Sequence, residues 1–180
     1  MSDFSDCLEK AKAGDPISQL NLVHYYCGND GVERDDEAML KYCRMAADQG
    51  FAPAQWHLGY MYERGTPSIV SKDYELAAKW YRLAAEQGNA HALHALGGLY
   101  KKGYGVTQDD IQALAWCSLA LVKDYNSMYF LTQDLRELKS KLNADEIKVA
   151  QQFRKRFLDQ HPDHSQNFSY EMYRLIVIME

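Results

Sequence analysis

Residues 50–88 read GFAPAQWHLGYMYERGTPSIVSKDYELAAKWYRLAAEQG, and residues 88–124 read GNAHALHALGGLYKKGYGVTQDDIQALAWCSLALVKD. At a shift of 38, Gly50 falls on Gly88, Ala54 on Ala92, Leu58 on Leu96, Gly59 on Gly97, Tyr62 on Tyr100 and Gly65 on Gly103. A shift of 36 then sets Asp73 on Asp109, Ala77 on Ala113 and Trp80 on Trp116. The change of two residues falls between Gly65 and Asp73, in a loop, where extra length costs little entropy. An earlier copy sets Leu22 on Leu58, Tyr26 on Tyr62, Asp35 on Asp73, Tyr42 on Trp80 and Ala46–Ala47 on Ala84–Ala85. Three copies in register at one period are the mark of a repeat array.

Each copy divides into two helical patterns. In the first, Ala54, Leu58 and Tyr62 recur every four residues and form one apolar stripe. Gly59 and Gly97 lie within that helix, where glycine is unfavourable, and close approach of a neighbouring helix supplies the reason for them. The second helix is expected to begin after Asp73 or Asp109, whose carboxylates suit free backbone N–H groups. Asp109-Asp110-Ile111-Gln112 resembles a capping box. Small Ala77, Ala84 and Ala85 surround the large Trp80, and Gln-Gly at 49–50 and 87–88 closes each second helix with a C-cap glycine.

The pattern A-x-x-x-LG-x-x-Y-x-x-G, then GV-x-x-D, then A-x-x-WY-x-x-AA-x-x-G, resembles the Sel-one-like repeat, a longer relative of the tetratricopeptide repeat. The resemblance covers roughly residues 11–124. It implies an all-α, right-handed α/α solenoid of helix–turn–helix repeats with capping helices at both ends. Repeat two departs by replacing the GYGV turn with GTPSIV, and repeat one by carrying Val23 where the other copies have glycine.

The ends differ from the middle. Cys7 to Gly14 aligns with Cys43 to Gly50, so residues 3–14 read as a half repeat that starts the stack. Repeats then run over about 15–50, 51–88 and 89–124. Met128, Leu131, Leu135, Leu138 and Leu142 form one helical stripe, and Ile147, Ala150, Phe153 and Phe157 a second, opened by a capping-box-like Asn143 and Glu146. Residues 125–160 are therefore expected to cap the array, making 1–160 a single solenoid. Residues 161–180 read as a polar hinge and an apolar tail, Tyr170 to Met179, suited to dock on the cap or to mediate self-association.

Composition excludes several classes. With 47% apolar and 25% charged residues the chain is an ordinary folded protein, and a net charge of −5 disfavours nucleic acid. Lys101-Lys102 and Arg154-Lys155-Arg156 are short basic clusters flanked by acids. No apolar stretch is long enough for a membrane span, and the polar start lacks a signal peptide, so a cytoplasmic location is expected.

No HExxH, GxSxG or phosphate loop is present, and Gly97-Gly98 and Gly103-x-Gly105 near Lys101 fall mostly in repeat columns. His91 and His94 lie one turn apart, and His161 and His164 sit with Asp159 and Asp163. Solvent-facing histidines and a polar hinge account for these pairs, and no metal or cofactor is expected. Cys7, Cys43 and Cys117 share the repeat column that Tyr81 fills in repeat two, which marks a packing site with reduced thiols. Some secreted members of the similar family bridge their helices with cysteines eight residues apart. Such pairs are lacking here.

On the first helix the core stripe leaves the opposite side to Trp56, Tyr60 and Glu63, with Leu20, His24 and Cys27 as equivalents in repeat one and His94, Gly98 and Lys101 in repeat three. The resemblance places first helices on the concave side. The expected partner-binding residues are thus Trp56, Tyr60, Glu63, His24, His91, His94 and Lys101, with Lys79 and Arg82 on the outer surface. The expected function is a protein-interaction scaffold or adaptor that grips a partner protein or peptide. The alternatives are a cytosolic immunity protein that neutralises a bacterial toxin and, less favoured, a hydrolase.

Overall fold

The computed structural model describes residues 4–28, 31–66, 69–123 and 128–161, with side chains omitted at 122–123 and 128–131. The tail beyond residue 161, including His164 and Asp163, lies outside the described residues. Two compact units divide the chain, Met1–Gln87 and Gly88–Glu180.

The first unit contains α1 (Phe4–Lys12), α2 (Pro16–Tyr26), α3 (Asp36–Asp48), α4 (Ala52–Arg64) and α5 (Tyr74–Glu86). Each helix packs on the next in sequence, as short connections dictate. The second contains α6 (Ala90–Lys102), α7 (Asp110–Lys123), α8 (Met128–Lys141) and α9 (Ala144–Gln160). The architecture is an all-α solenoid. One isolated bridge, Thr66 to Val70, is its single β feature among the described residues.

The aspartate that opens each second helix makes two kinds of bond. Its carboxylate accepts from the backbone N–H three residues on: Asp35 from Ala38, Asp73 from Leu76 and Asp109 from Gln112. Its own N–H donates to the carbonyl of the tyrosine that ends the first helix, at 3.0 Å for Asp35 to Tyr26, 2.9 Å for Asp73 to Tyr62 and 3.0 Å for Asp109 to Tyr100. The loop is thereby closed at its base in every repeat. The longer loop of repeat two keeps this closure and folds its surplus into the reciprocal Thr66–Val70 bonds, 2.8 and 3.0 Å.

The second helices of the first two repeats stop at glycine, Gly50 and Gly88. Gly50, at φ 84°, donates to Ala47 O, while Phe51 donates to Ala46 O. This is the paired closure that a left-handed residue after a helix allows. The same pair of bonds follows α1, where Gly14 donates to Ala11 O and Asp15 to Lys10 O.

A buried polar latch was not anticipated. Gln19 and Gln55, on α2 and α4, are buried, and their amides donate to Ala11 O and Ala47 O at 3.1 and 3.3 Å. Their own oxygens accept from Gln49 and Gln87 at 2.7 and 2.8 Å. Each latch ties three helices and satisfies both ends of a buried amide, without which burial would be costly. Repeat three has Leu93 at that position, also buried.

The core column is the one expected. Cys7, Cys43, Tyr81 and Cys117 are all essentially buried. Trp80, expected between alanine-lined helices, is only half-buried, and the deep position in α5 belongs to Tyr81 beside it. The single-residue difference turns the helix by 100°, enough to exchange core for flank.

In the second unit α7 packs against α6, α8 and α9, and Ala113 to Cys117 are buried consecutively. A helix covered on several sides has no polar face. Both cap stripes face inward at Leu135, Leu138, Ala150 and Phe157, with Phe153 and Phe157 edge-on to Trp116 at 5.1 and 5.7 Å. Asn143 and Glu146 form the reciprocal capping box, at 2.8 and 3.0 Å.

Candidate functional site

In the first unit, α2 and α4 are the first helices of repeats one and two, held by the latches and by Leu22 and Leu58 in the core. Their outer strip carries aromatic and basic groups at helical spacing. Trp56, half-buried, meets the His57 ring at 4.5 Å and the Tyr60 ring at 6.2 Å. Tyr60 is 44% exposed, and the Arg64 guanidinium lies over it at 5.5 Å. His57 reaches across to His24 of α2, ring centroids 5.4 Å apart.

Beside this strip is a 330 Å³ cavity whose polar rim is His24, Cys27, Arg34, His57, Tyr60 and Arg64. Val23, Met39 and Met61 form its apolar floor. No carboxylate belongs to this lining among the described residues. Arg34 engages Asp36 outside it through a two-nitrogen fork, 2.8 and 3.3 Å. Cys27 donates to Met39 Sδ at 3.4 Å, and partial burial raises its thiol pKa.

Two of the expected residues, Tyr60 and His24, thus border a real concavity, and Trp56 supports it. Glu63 does not belong to it. Its carboxylate accepts the Tyr81 hydroxyl at 2.6 Å, because a deep tyrosine needs an acceptor at the helix pair's edge. Burial first, then this bond, drives the Tyr81 hydroxyl far above its ordinary range. Tyr62, counted with the core stripe, is half-buried and accepts from Arg44 at 2.7 Å.

The strip of repeat three is already engaged within its own unit. Lys101 donates to Asp134 of α8 at 2.9 Å and also to Glu137, and His94 Nε2 lies 3.5 Å from Asp134. The Glu137 carboxyl is lowered to about 2 by its hydrogen bond from Lys101 and then that from Lys141. Lys101 loses some charge preference to burial, but its bonds to Glu137 and Asp134 outweigh this and raise its pKa. The expectation of an open strip is corrected here: His94 and Lys101 reach carboxylates of α8, although the His94 side chain stays 39% exposed. His91 is exposed.

Among the described residues no three metal-binding side chains cluster. His161 stacks on Phe157 at 4.4 Å, with its Nδ1 2.8 Å from Phe157 O.

Sequence reasoning missed His57, Arg34, Arg64 and Met39. Arg64 was legible as the i+4 neighbour of Tyr60. His57 was not, because it faces α2 of the preceding repeat and not its own helix partner.

Comparison with known proteins agrees with this architecture. The Sel1 repeat model matches residues 17–51, 52–89 and 90–121. A protective antigen of uropathogenic Escherichia coli with an SLR fold, c5321, is 32% identical over 90% of this chain, with a TM-score of 0.79. This chain spans about a third of that protein, 34% of its length. A Sel1 repeat protein from Oxalobacter formigenes is 34% identical over 74% of this chain and 99% of its own, with a TM-score of 0.64. Cysteine-rich protein B of Helicobacter pylori shares the fold at 21% identity, over 69% of this chain and 88% of its own, with a TM-score of 0.54. Among curated proteins none matches. With three repeat matches covering more than half of its length, the chain belongs to the Sel1 repeat family.

Proposed function

We propose that this protein is an interaction scaffold or adaptor whose α2–α4 face grips a segment of a partner protein. Sel1 repeat proteins are generally protein–protein interaction scaffolds, typically without catalysis. The observation that carries the reading is the Trp56–Tyr60–Arg64 strip beside an open, apolar-floored cavity, a composition common at binding hot spots. Rigid helices and buried amide latches hold that strip in place before any partner arrives, which lowers the ordering cost of binding.

No helix among the described residues is long and apolar enough to cross a membrane. Four unpaired cysteines accord with a cytoplasmic setting. An immunity protein against a basic toxin would be expected to present an acidic face, and two arginines and two histidines around the cavity favour the adaptor instead.

Affinity capture from the native cell, followed by identification of bound proteins, tests the reading. One stoichiometric partner lost from a Trp56→Ala/Tyr60→Ala variant is the expected result. A tightly held small molecule with no protein partner would contradict it.

A further inference from the structure

The loop that joins α4 to α5 differs from its counterparts in charge as well as in length. In repeat one, Arg34 stands just before the aspartate that opens the second helix. Asp36, two residues on, neutralises it through a two-nitrogen fork, 2.8 and 3.3 Å. Lys72 and Tyr74 occupy those two columns in repeat two, and Gln108 and Asp110 in repeat three. The carboxylate that holds the cation of repeat one is therefore a tyrosine in repeat two. Lys72 lies over that ring at 5.2 Å and donates to its hydroxyl at 3.3 Å. At the other end of the loop, Arg64 rests on the Tyr60 ring at 5.5 Å. Among the described residues neither cation meets a carboxylate. A ring face leaves the guanidinium edge and two ammonium N–H groups able to donate elsewhere.

The two cations border a 500 Å³ concavity whose lining includes Ser71 and, among the described residues, no carboxylate. Its walls are preset. Thr66 and Val70 are buried and exchange backbone bonds of 2.8 and 3.0 Å. A Cβ on Gly65 would stand 3.2 Å from Lys72 N, so this glycine lets the returning chain lie against the end of α4. Ser71 is exposed, and the backbone N–H groups of Ser71 and Lys72 donate to no carbonyl among the described residues. The carboxylates adjacent in sequence are committed: Asp73 accepts from Leu76 N–H and Glu63 from the Tyr81 hydroxyl. Glu33, Asp35, Asp36 and Glu37 line a separate concavity, together with Arg34, that shares only Ile69 with this one.

We propose that the α4–α5 loop is an oxyanion site that takes a phosphoryl group. The Arg64 fork and the Lys72 ammonium meet its oxygens, and the Ser71 hydroxyl and the N–H groups of Ser71 and Lys72 complete the set. Forked and point-charge donors together suit a phosphate, and successive backbone N–H groups favour an anion between them. In a chain of net charge −5, such a pair of unneutralised cations selects its ligand by sign. Arg64 also borders the α2–α4 cavity, so the site adjoins the proposed partner face without depending on it.

The test follows amide NMR shifts of the full chain at low ionic strength. The probes are inorganic phosphate, acetate, and a short phosphoserine peptide with its unphosphorylated form. Phosphate should shift Gly65, Ser71 and Lys72 saturably, and acetate at equal ionic strength should not. Arg64→Gln and Lys72→Gln should each weaken phosphate about tenfold, the loss of one charge-assisted bond. Lys79→Gln, exposed on α5, should bind as wild type does, with helicity of all three variants checked by circular dichroism.

The peptide separates the two sources of a phosphoryl group. Affinity about tenfold above that of phosphate, with the unphosphorylated form silent, makes the ligand a phosphorylated segment of a partner. Equal or weaker affinity makes it a free phosphate, and either result supports the site. The absence of saturable shifts at Gly65, Ser71 and Lys72 with both phosphate probes overturns it. So does an equal response to acetate, or phosphate binding that survives in Arg64→Gln/Lys72→Gln.

Discussion

Gly59 and Tyr81 form one packing unit split between two helices. A Cβ on Gly59 would stand 2.7 Å from Tyr81 Cδ1, and its three nearest atoms all belong to that ring. At Gly97 the nearest atom is Cys117 Sγ at 2.5 Å, but backbone follows at 3.2 and 3.3 Å. Gly59→Ala should therefore cost about 1–3 kcal/mol by overpacking, and Tyr81→Cys should relieve most of it in the double variant. Gly97→Ala should stay destabilising beside Cys117→Ala, because backbone cannot yield. Urea denaturation of the single and double variants measures both couplings. Repeat one, with Val23 and Cys43 in these columns, is a natural case of the exchange. The thiols give a second expectation at this scale. Burial pushes Cys43 and Cys117 up to about 12, and Cys7 is raised chiefly by burial too. Of the four free thiols, only Cys27 is exposed. Titration with a disulfide reagent should give one fast thiol in the native protein and four after denaturation. More than one fast thiol would place the cysteine column at the surface.

Between elements, the α6–α8 contact is the one most open to pH. The Glu137 carboxyl falls from 4.5 to about 2 in the folded chain, so folding favours its charged form. The resulting stabilisation is complete above the unfolded value and fades as pH falls from about 4.5 through about 2. Glu137 is exposed enough for solvent to screen much of it, so the effect should be modest and salt-sensitive. Glu137→Gln should flatten the acid limb of a urea-midpoint profile and leave the neutral region nearly unchanged. An unchanged acid limb would mean that the Lys101 contact contributes nothing to folding. Sequence reading reached the helices here but not their contacts. Leu135, Leu138 and Phe157 betrayed buried faces by period, and Asn143 with Glu146 betrayed a helix start. Nothing in a single sequence says which surface an apolar stripe covers. His94 and Lys101 were therefore read as open, although Asp134 and Glu137 of α8 engage them. The glutamine latches escaped for a related reason. Gln19 and Gln55 resemble solvent-facing residues by type, and only the carbonyls of Ala11 and Ala47 opposite make burial favourable.

At the scale of the whole molecule, periodicity made the fold legible: three aligned copies, an aspartate before each second helix and a glycine after the first two of them. The proposed binding face was legible only as a surface strip. Tyr60 and His24 line the cavity, as does Arg64, and lie away from Leu58 and Leu22, whereas Glu63 turns to the Tyr81 hydroxyl. A dissociation constant for the captured partner tests the central claim most directly, compared between wild type, Trp56→Ala/Tyr60→Ala and an outer-surface control. Lys79→Ala/Glu86→Ala serves as that control, since both residues are exposed on α5, whereas Arg82 is half-buried. The aromatic pair should weaken binding by about 2 kcal/mol or more, roughly thirtyfold, with helicity intact. The control should bind as wild type does. Full affinity in the aromatic variant, with binding lost in the Lys79→Ala/Glu86→Ala protein, would contradict the claim and move the site to the second helices.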